Sequence, residues 1–238
     1  MKNKDDECQL MREGSVLQVD VSSNYLAWLY NCIAPFIGKR ILEVGTGYGY
    51  YAERINNYDL YCATDVDEIF LRNVAGRLQK KPNMIFARYD AEEDTTCELR
   101  SHNFDTIICM GVIEHIKNDQ KALANMGQLL VPGGRLIIFT PALPGLYGES
   151  DSSIGHYRRY GKRELEQKLI GAGFRVEKNM YHNFVGIFAW FLNSRILRKK
   201  AATGGQLSLF DKIVPGLEFC EKLVKPCIGL NFICVGQK

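Results

Sequence analysis

Short apolar runs alternate along this chain with stretches whose apolar residues recur at helical spacing. Ile41, Leu42 and Val44 form a run of buried-strand character that leads into a glycine-rich turn, and Tyr50 to Ile55 follows with the start of a helix. The same unit recurs. Leu60 to Asp65 reads as a second strand, Ile69 to Leu78 as a helix, Asn83 to Arg88 as a third strand, and Phe104 to Met110 as a fourth. Lys117 to Leu130 is helical, and Val131-Pro-Gly-Gly134 reads as a helix stop and tight turn before a fifth strand, Leu136 to Thr140. Phe174 to Tyr181 and Asn231 to Val235 complete the strands. Ahead of them, Ser22 or Ser23 is placed to cap a helix through Phe36, with Tyr25, Leu26, Leu29, Ile33 and Phe36 on its apolar side. Repeated strand–helix units with short turns require parallel strands and right-handed crossovers, so the expected class is α/β, Rossmann-like and doubly wound.

Glycines at 45, 47 and 49 leave φ > 0 open to the backbone and let a ligand lie directly on it. The loop runs G-x-G-x-G, whereas a dinucleotide loop runs G-x-G-x-x-G, and position 50 is Tyr. Acids close the neighbouring strands. Glu43 lies two residues before the first glycine, and Asp65 lies twenty after it, the offset at which a carboxylate accepts both ribose hydroxyls. Asp65 has a competing role as cap of the helix that follows.

Glu43-x-Gly45-x-Gly47-x-Gly49 resembles the first motif of class I S-adenosylmethionine (SAM)-dependent methyltransferases. Phe104-Asp-Thr-Ile-Ile-Cys-Met110 with Gly-Val-Ile-Glu114-His115-Ile resembles that family's motif after strand four, and Leu-Val-Pro-Gly-Gly134 another of its elements. The resemblance implies a mostly parallel seven-stranded sheet whose antiparallel last strand lies between strands five and six. It implies SAM as cofactor, held by Glu43, Gly45, Thr46, Gly47, Gly49, Asp65, Val66, Asp90, Ala91 and Met110, with Asp90 near the adenine. A lid-like first helix would bring Tyr25 over the site, unless Tyr25 simply packs in the core.

The loop from Pro141 to Tyr160 is long and rich in Gly, Asp, His, Arg and Tyr, a composition more typical of function than of spacing. Gly155-His156-Tyr157-Arg158-Arg159-Tyr160 resembles a signature of a methyltransferase branch associated with sugar and cell-envelope biosynthesis, which also carries an acid matching Asp151 and an Asn matching Asn183. A hydroxyl or amine acceptor must lose a proton, and His is suited to take it. The candidate catalytic residues are therefore His156, Asp151 as its orienting partner, and His115. Tyr25, Tyr157, Arg158, Arg159 and Asn183 are the candidate acceptor-binding residues, the arginines clamping a carboxylate or phosphate unless they serve to pin the loop.

Composition narrows the classes. Of 238 residues, 46% are hydrophobic and 24% charged, which fits a globular chain, and a net charge of +3 is too small to argue for nucleic acid. Eight cysteines include no C-x-x-C pair and no zinc-like Cys/His spacing, so no metal is expected, and Cys62, Cys109 and Cys234 fall in strand-like runs as core residues. The start of the chain lacks a signal-peptide pattern and no apolar run reaches spanning length, so a cytoplasmic setting is expected. Residues 1–21 read as a flexible tail and 22–238 as one methyltransferase domain with a helical cap at about 184–228. In that cap an apolar stretch, with Phe188, Trp190, Phe191 and Ile196, ends in Arg195, Arg198, Lys199 and Lys200, and a second helix from Leu207 to Lys225 breaks near Pro215. The pattern suits peripheral membrane contact through 184–200, a wall around a lipid-like acceptor, or a packed subdomain with a solvated basic end.

The expected function is methyl transfer from SAM to a small-molecule, sugar- or lipid-linked acceptor by direct displacement. The rivals are a nicotinamide-dependent oxidoreductase, disfavoured by Tyr50 at the third glycine position, and a non-catalytic SAM-binding scaffold.

Overall fold

The computed structural model describes residues 23–93, 97–192 and 204–238. The flexible tail expected over 1–21 and the basic cluster Arg195, Arg198, Lys199 and Lys200 lie outside the described residues.

Seven strands form one sheet in the order β3-β2-β1-β4-β5-β7-β6: β1 Arg40–Val44, β2 Leu60–Asp65, β3 Met84–Arg88, β4 Phe104–Met110, β5 Leu130–Pro141, β6 Arg175–His182 and β7 Asn231–Gln237. The first five are parallel, and β7 runs antiparallel between β5 and β6, as the resemblance implied. Alternation along the strands divides the core between the two faces. Leu42, Cys62, Ile107 and Ile138 pack on one face, and Ile41, Tyr61, Ile108 and Ile137 on the other. Both faces are covered, which is why these strands read as continuous apolar runs.

Helices α1 (Ser23–Ile33), α2 (Tyr50–Arg54) and α3 (Glu68–Leu78) supply Leu29, Ile33, Tyr51, Ala52, Val74 and Leu78 to the second face. Beyond the short helix α4 (Cys97–Arg100), α5 (Asp119–Leu129) contributes Leu123 and Met126 to the first face. After β5, the connection carries α6 (Glu149–Ser153) and then α7 (Lys162–Gly171), which adds Leu165 and Leu169 to that face. Among the described residues, the stretch expected as a cap carries α8 (Gly186–Phe191) and α9 (Gly204–Val224).

Two local expectations change, and Ser22, one of the two capping candidates for the first helix, lies outside the described residues. Val131 to Gly134 belongs to β5 rather than to a turn, the pairing with β4 shifting register between Phe104 and Thr106. Pro215 does not interrupt α9, which is continuous across it. Proline removes the N–H that would bond the carbonyl four residues back; that carbonyl, on Asp211, instead accepts a bond from Asn24 Nδ2 at 3.1 Å. The start of α1 is capped from across the chain. The Asp211 carboxylate accepts the backbone N–H groups of Asn24 at 3.2 Å and Tyr25 at 2.9 Å, tying the first helix to the cap.

Cys32, Cys62, Cys109, Cys220, Cys227 and Cys234 carry free thiols, with Cys62, Cys109 and Cys234 buried in strands. No helix among the described residues is long and apolar enough to cross a membrane.

Candidate functional site

Parallel strands bring the ends of β3, β2, β1, β4 and β5 to one sheet edge, with the loops that follow them. Gly45 takes φ +75°, and a Cβ there would collide with the Val112 side chain. Gly47 takes φ +52°, and a Cβ would meet nothing within 4 Å, so the loop backbone is open on that side. This is a cradle for a ligand lying on main chain.

Two carboxylates organise the loop. Asp65, buried, accepts the Gly47 N–H on Oδ2 and the Asp67 N–H on Oδ1, both at 2.9 Å. It does not cap α3: that role belongs to Asp67, whose Oδ1 accepts the Ile69 N–H at 2.8 Å. Glu43 is also buried, and its Oε2 accepts the hydroxyls of Thr46 at 2.7 Å and Tyr61 at 2.9 Å. Burial pushes its carboxyl up to about 8 despite those two bonds, and burial likewise raises that of Asp65. Val66 is exposed beside Asp65. One strand further out, Asp90 turns the chain by accepting the Glu92 N–H at 2.9 Å, while Ala91 is buried with its carbonyl held by Asn125 at 2.8 Å. Met110 ends β4 on the other side of β1. The cofactor candidates thus share one edge, centred on the glycine loop.

The loop after β5 meets the turn after β4. Tyr157 N–H donates to the Glu114 carbonyl at 2.8 Å, and the Tyr160 hydroxyl reaches the Ile113 carbonyl at 3.2 Å and Asp119 at 2.9 Å. These contacts bring His156 to 3.9 Å from Glu114 (Nε2 to Oε1) and 3.1 Å from Asp151 (Nδ1 to Oδ1), with the His115 ring 4.6 Å away, centroid to centroid. Asp151 is buried. Burial pushes its carboxyl up, but bonds from His156 and Arg159 outweigh that and hold it below the usual range. Burial raises Glu114, whose Oε2 accepts the Thr140 hydroxyl at 3.0 Å. Burial, then the neighbouring His156, lowers His115 to about 3. His115 hydrogen-bonds the Gly155 backbone and leaves Nδ1 buried without a hydrogen-bond partner.

The arginines have internal partners instead of the expected acceptor clamp. Arg158 Nη1 pairs with Asp119 at 2.6 Å, and Arg159 Nε with Asp151 at 2.8 Å while its guanidinium lies over the Trp190 ring. They pin the loop, because Asp119 and Asp151 are buried acids that need a counter-charge. Asn183 is similarly engaged: at φ +61° its Oδ1 accepts the Gly186 N–H at 2.8 Å, and its side chain bonds Tyr25. Tyr25 joins an aromatic group with Trp28 and His182, and its hydroxyl accepts from Asn231 at 3.1 Å. His182 is a core residue here, both ring nitrogens buried and unpartnered, and burial lowers it to about 3. Of the acceptor candidates, Tyr157 is exposed at the loop, with the Arg158 guanidinium over its ring.

Glu114 had no role assigned from sequence. Its one signal was an acid immediately ahead of His115 in the turn after β4. Surface hollows of about 190 Å³ near Phe174 and about 370 Å³ near Lys39 lie away from these residues.

Residues 42–136, which include the glycine loop and β4, match the family model described as a methyltransferase domain. An uncharacterized methyltransferase of Mycobacterium tuberculosis is 30% identical over 119 residues, 50% of this chain and 58% of that protein. A tRNA U34 carboxymethyltransferase of Syntrophotalea carbinolica is 32% identical over 156 residues, 60% of this chain and 46% of that protein. The chain thus spans about half the length of these curated relatives. Among solved structures, an S-adenosylmethionine-dependent methyltransferase from Mesorhizobium loti superposes with a TM-score of 0.60 at 13% identity, over 89% of this chain and 98% of that one. That likeness is one of fold: the sheet is the one methyltransferases use.

Proposed function

We propose that the chain is a class I methyltransferase that binds SAM at the edge of β3, β2, β1 and β4 and methylates a small-molecule, glycan or lipid-linked acceptor beside the loop after β5. The observation that carries this reading is the open backbone at Gly47, flanked by buried Asp65 and Glu43. The methyltransferase-domain match over the same stretch favours a methyl donor over a nicotinamide.

SAM supplies a methyl group on a sulfonium, so an acceptor lone pair forms the new bond as the carbon–sulfur bond breaks and its electron pair returns to sulfur. In this reading Gly45 to Gly49 receive the amino-acid end. The spare lone pairs of Asp65 take the ribose hydroxyls, and Asp90 lies toward the adenine. His156 takes the acceptor's proton at Nε2, since Nδ1 faces Asp151 and Asp151 is itself held by Arg159. The remaining contribution is proximity and exclusion of water. His115, beside His156, is a positioning residue.

The cap supports a lipid-linked or membrane-presented acceptor. Phe188, Phe191, Leu209, Phe219, Leu223 and Val224 expose large apolar side chains on α8 and α9, where Lys222 is paired with Glu218 at 2.9 Å. Calorimetry with SAM and with S-adenosylhomocysteine tests the cofactor reading, and no heat with either would overturn it. Binding without turnover on any hydroxyl or amine acceptor would favour a SAM-binding scaffold.

A further inference from the structure

Fold contacts at the acceptor side place two imidazoles and a carboxylate together although their sequence spacing shows no metal motif. One ligand atom each from Glu114, His115 and His156 lies within 4.8 Å of the others. The Oε1 to Nε2 approach of 3.9 Å is too long for a hydrogen bond and spans about the width that one bridging cation needs.

The supporting contacts resemble those of metal sites. A ligating His characteristically gives its other ring N–H to a carboxylate or a backbone carbonyl, which fixes the tautomer and aims the lone pair. His156 has its Nδ1 on Asp151 Oδ1, the same oxygen that accepts from Arg159 Nε. His115 bonds the Gly155 backbone and keeps a buried Nδ1 with no hydrogen-bond partner. Glu114 is anchored through Oε2 by Thr140, leaving Oε1 toward His156.

We infer that Glu114, His115 and His156 form a site for one first-row divalent cation that favours mixed nitrogen and oxygen ligands, such as zinc or cobalt. Two imidazoles and one carboxylate are a donor set for such ions and leave a coordination position for a further oxygen. Metal–ligand bonds of about 2.0–2.2 Å require the three side chains to draw in by about an ångström, a rotamer-scale adjustment. The site's place beside the acceptor rests on the methyl-transfer reading, whereas the cation site itself does not. A cation on Nε2 occupies the lone pair that proton removal by His156 needs, so loading and base action exclude each other.

The test is cobalt and zinc titration of the chelator-treated full chain, followed by calorimetry and by the visible absorption of bound Co²⁺. The expected result is one cation per chain, a spectrum of four- or five-coordinate cobalt, and at least tenfold weaker binding in Glu114→Gln and in His115→Asn. Thermal melting establishes that each variant is folded. Absence of stoichiometric binding, or binding unchanged in both folded variants, would overturn the assignment. Calorimetry with S-adenosylhomocysteine on the same samples separates that failure from a failure of the methyl-donor reading.

Discussion

Replacing Asp65 by Ala is the most direct probe of the cofactor edge. The carboxylate already accepts one N–H on each oxygen, from Asp67 and Gly47 at 2.9 Å, and each oxygen keeps a lone pair for a further donor. A hydrogen bond to a charged group contributes about 1.5–3 kcal/mol. Losing two to a ribose therefore weakens S-adenosylhomocysteine binding by about 3–6 kcal/mol, or about 10²–10⁴-fold in Kd. The same change frees the Gly47 and Asp67 N–H groups, and loosening of the loop adds a second contribution to the loss. A mutant–ligand cycle separates the two contributions. With an S-adenosylhomocysteine analogue lacking both ribose hydroxyls, the wild-type chain should lose most of the affinity that the variant has already lost, and the variant should hardly discriminate. Asp65→Asn, which keeps one acceptor oxygen, should fall between. The assay is calorimetry with urea unfolding as a check on the fold. A folded Asp65→Ala chain that binds S-adenosylhomocysteine within threefold of wild type would refute the ribose role.

Four further outcomes are expected. His156→Gln should lower turnover by about 10²–10⁴-fold while S-adenosylhomocysteine binding is retained, and normal turnover would reduce the residue to a loop contact. Asp211→Ala removes the carboxylate that receives the first-turn N–H groups of α1 and should lower unfolding free energy by about 1–3 kcal/mol in urea. Glu43 is raised from about 4.5 to about 8, so its protonated form is the one the fold favours. That contribution is complete below the unfolded value and is lost as pH rises through about 8. Glu43→Gln should flatten this part of the decline when wild type and variant are unfolded in urea at pH 5 and pH 9. Phe188→Glu with Phe219→Glu should reduce co-sedimentation with anionic lipid vesicles, and unchanged recovery would argue against membrane docking.

The alternation of apolar runs and amphipathic stretches determined the α/β class, because a strand covered on both faces has to be apolar at every position, and Leu42, Cys62 and Ile107 are buried as that demands. Spacing located the glycine loop and the acids of β1 and β2, since a strand, a tight turn and a helix are close in sequence as well as in space. Long-range choices were not legible in the same way. Nothing near Ser23 points to Asp211, 187 positions beyond Asn24, as the cap of α1, and nothing near Pro215 reveals that Asn24 satisfies its orphaned carbonyl. The arginines of the 155–160 loop looked suited to an anionic acceptor. Only packing showed that Asp119 and Asp151 are buried and take them, because a desolvated carboxylate draws in the nearest cation. Glu114, His115 and His156 come from two loops more than forty residues apart in part of that set, and it was the parallel order of β4 beside β5 that brought them to one edge. Local covalent spacing encodes elements and turns, whereas a three-dimensional site depends on which strand ends become neighbours, and that is set by burial of the whole sheet.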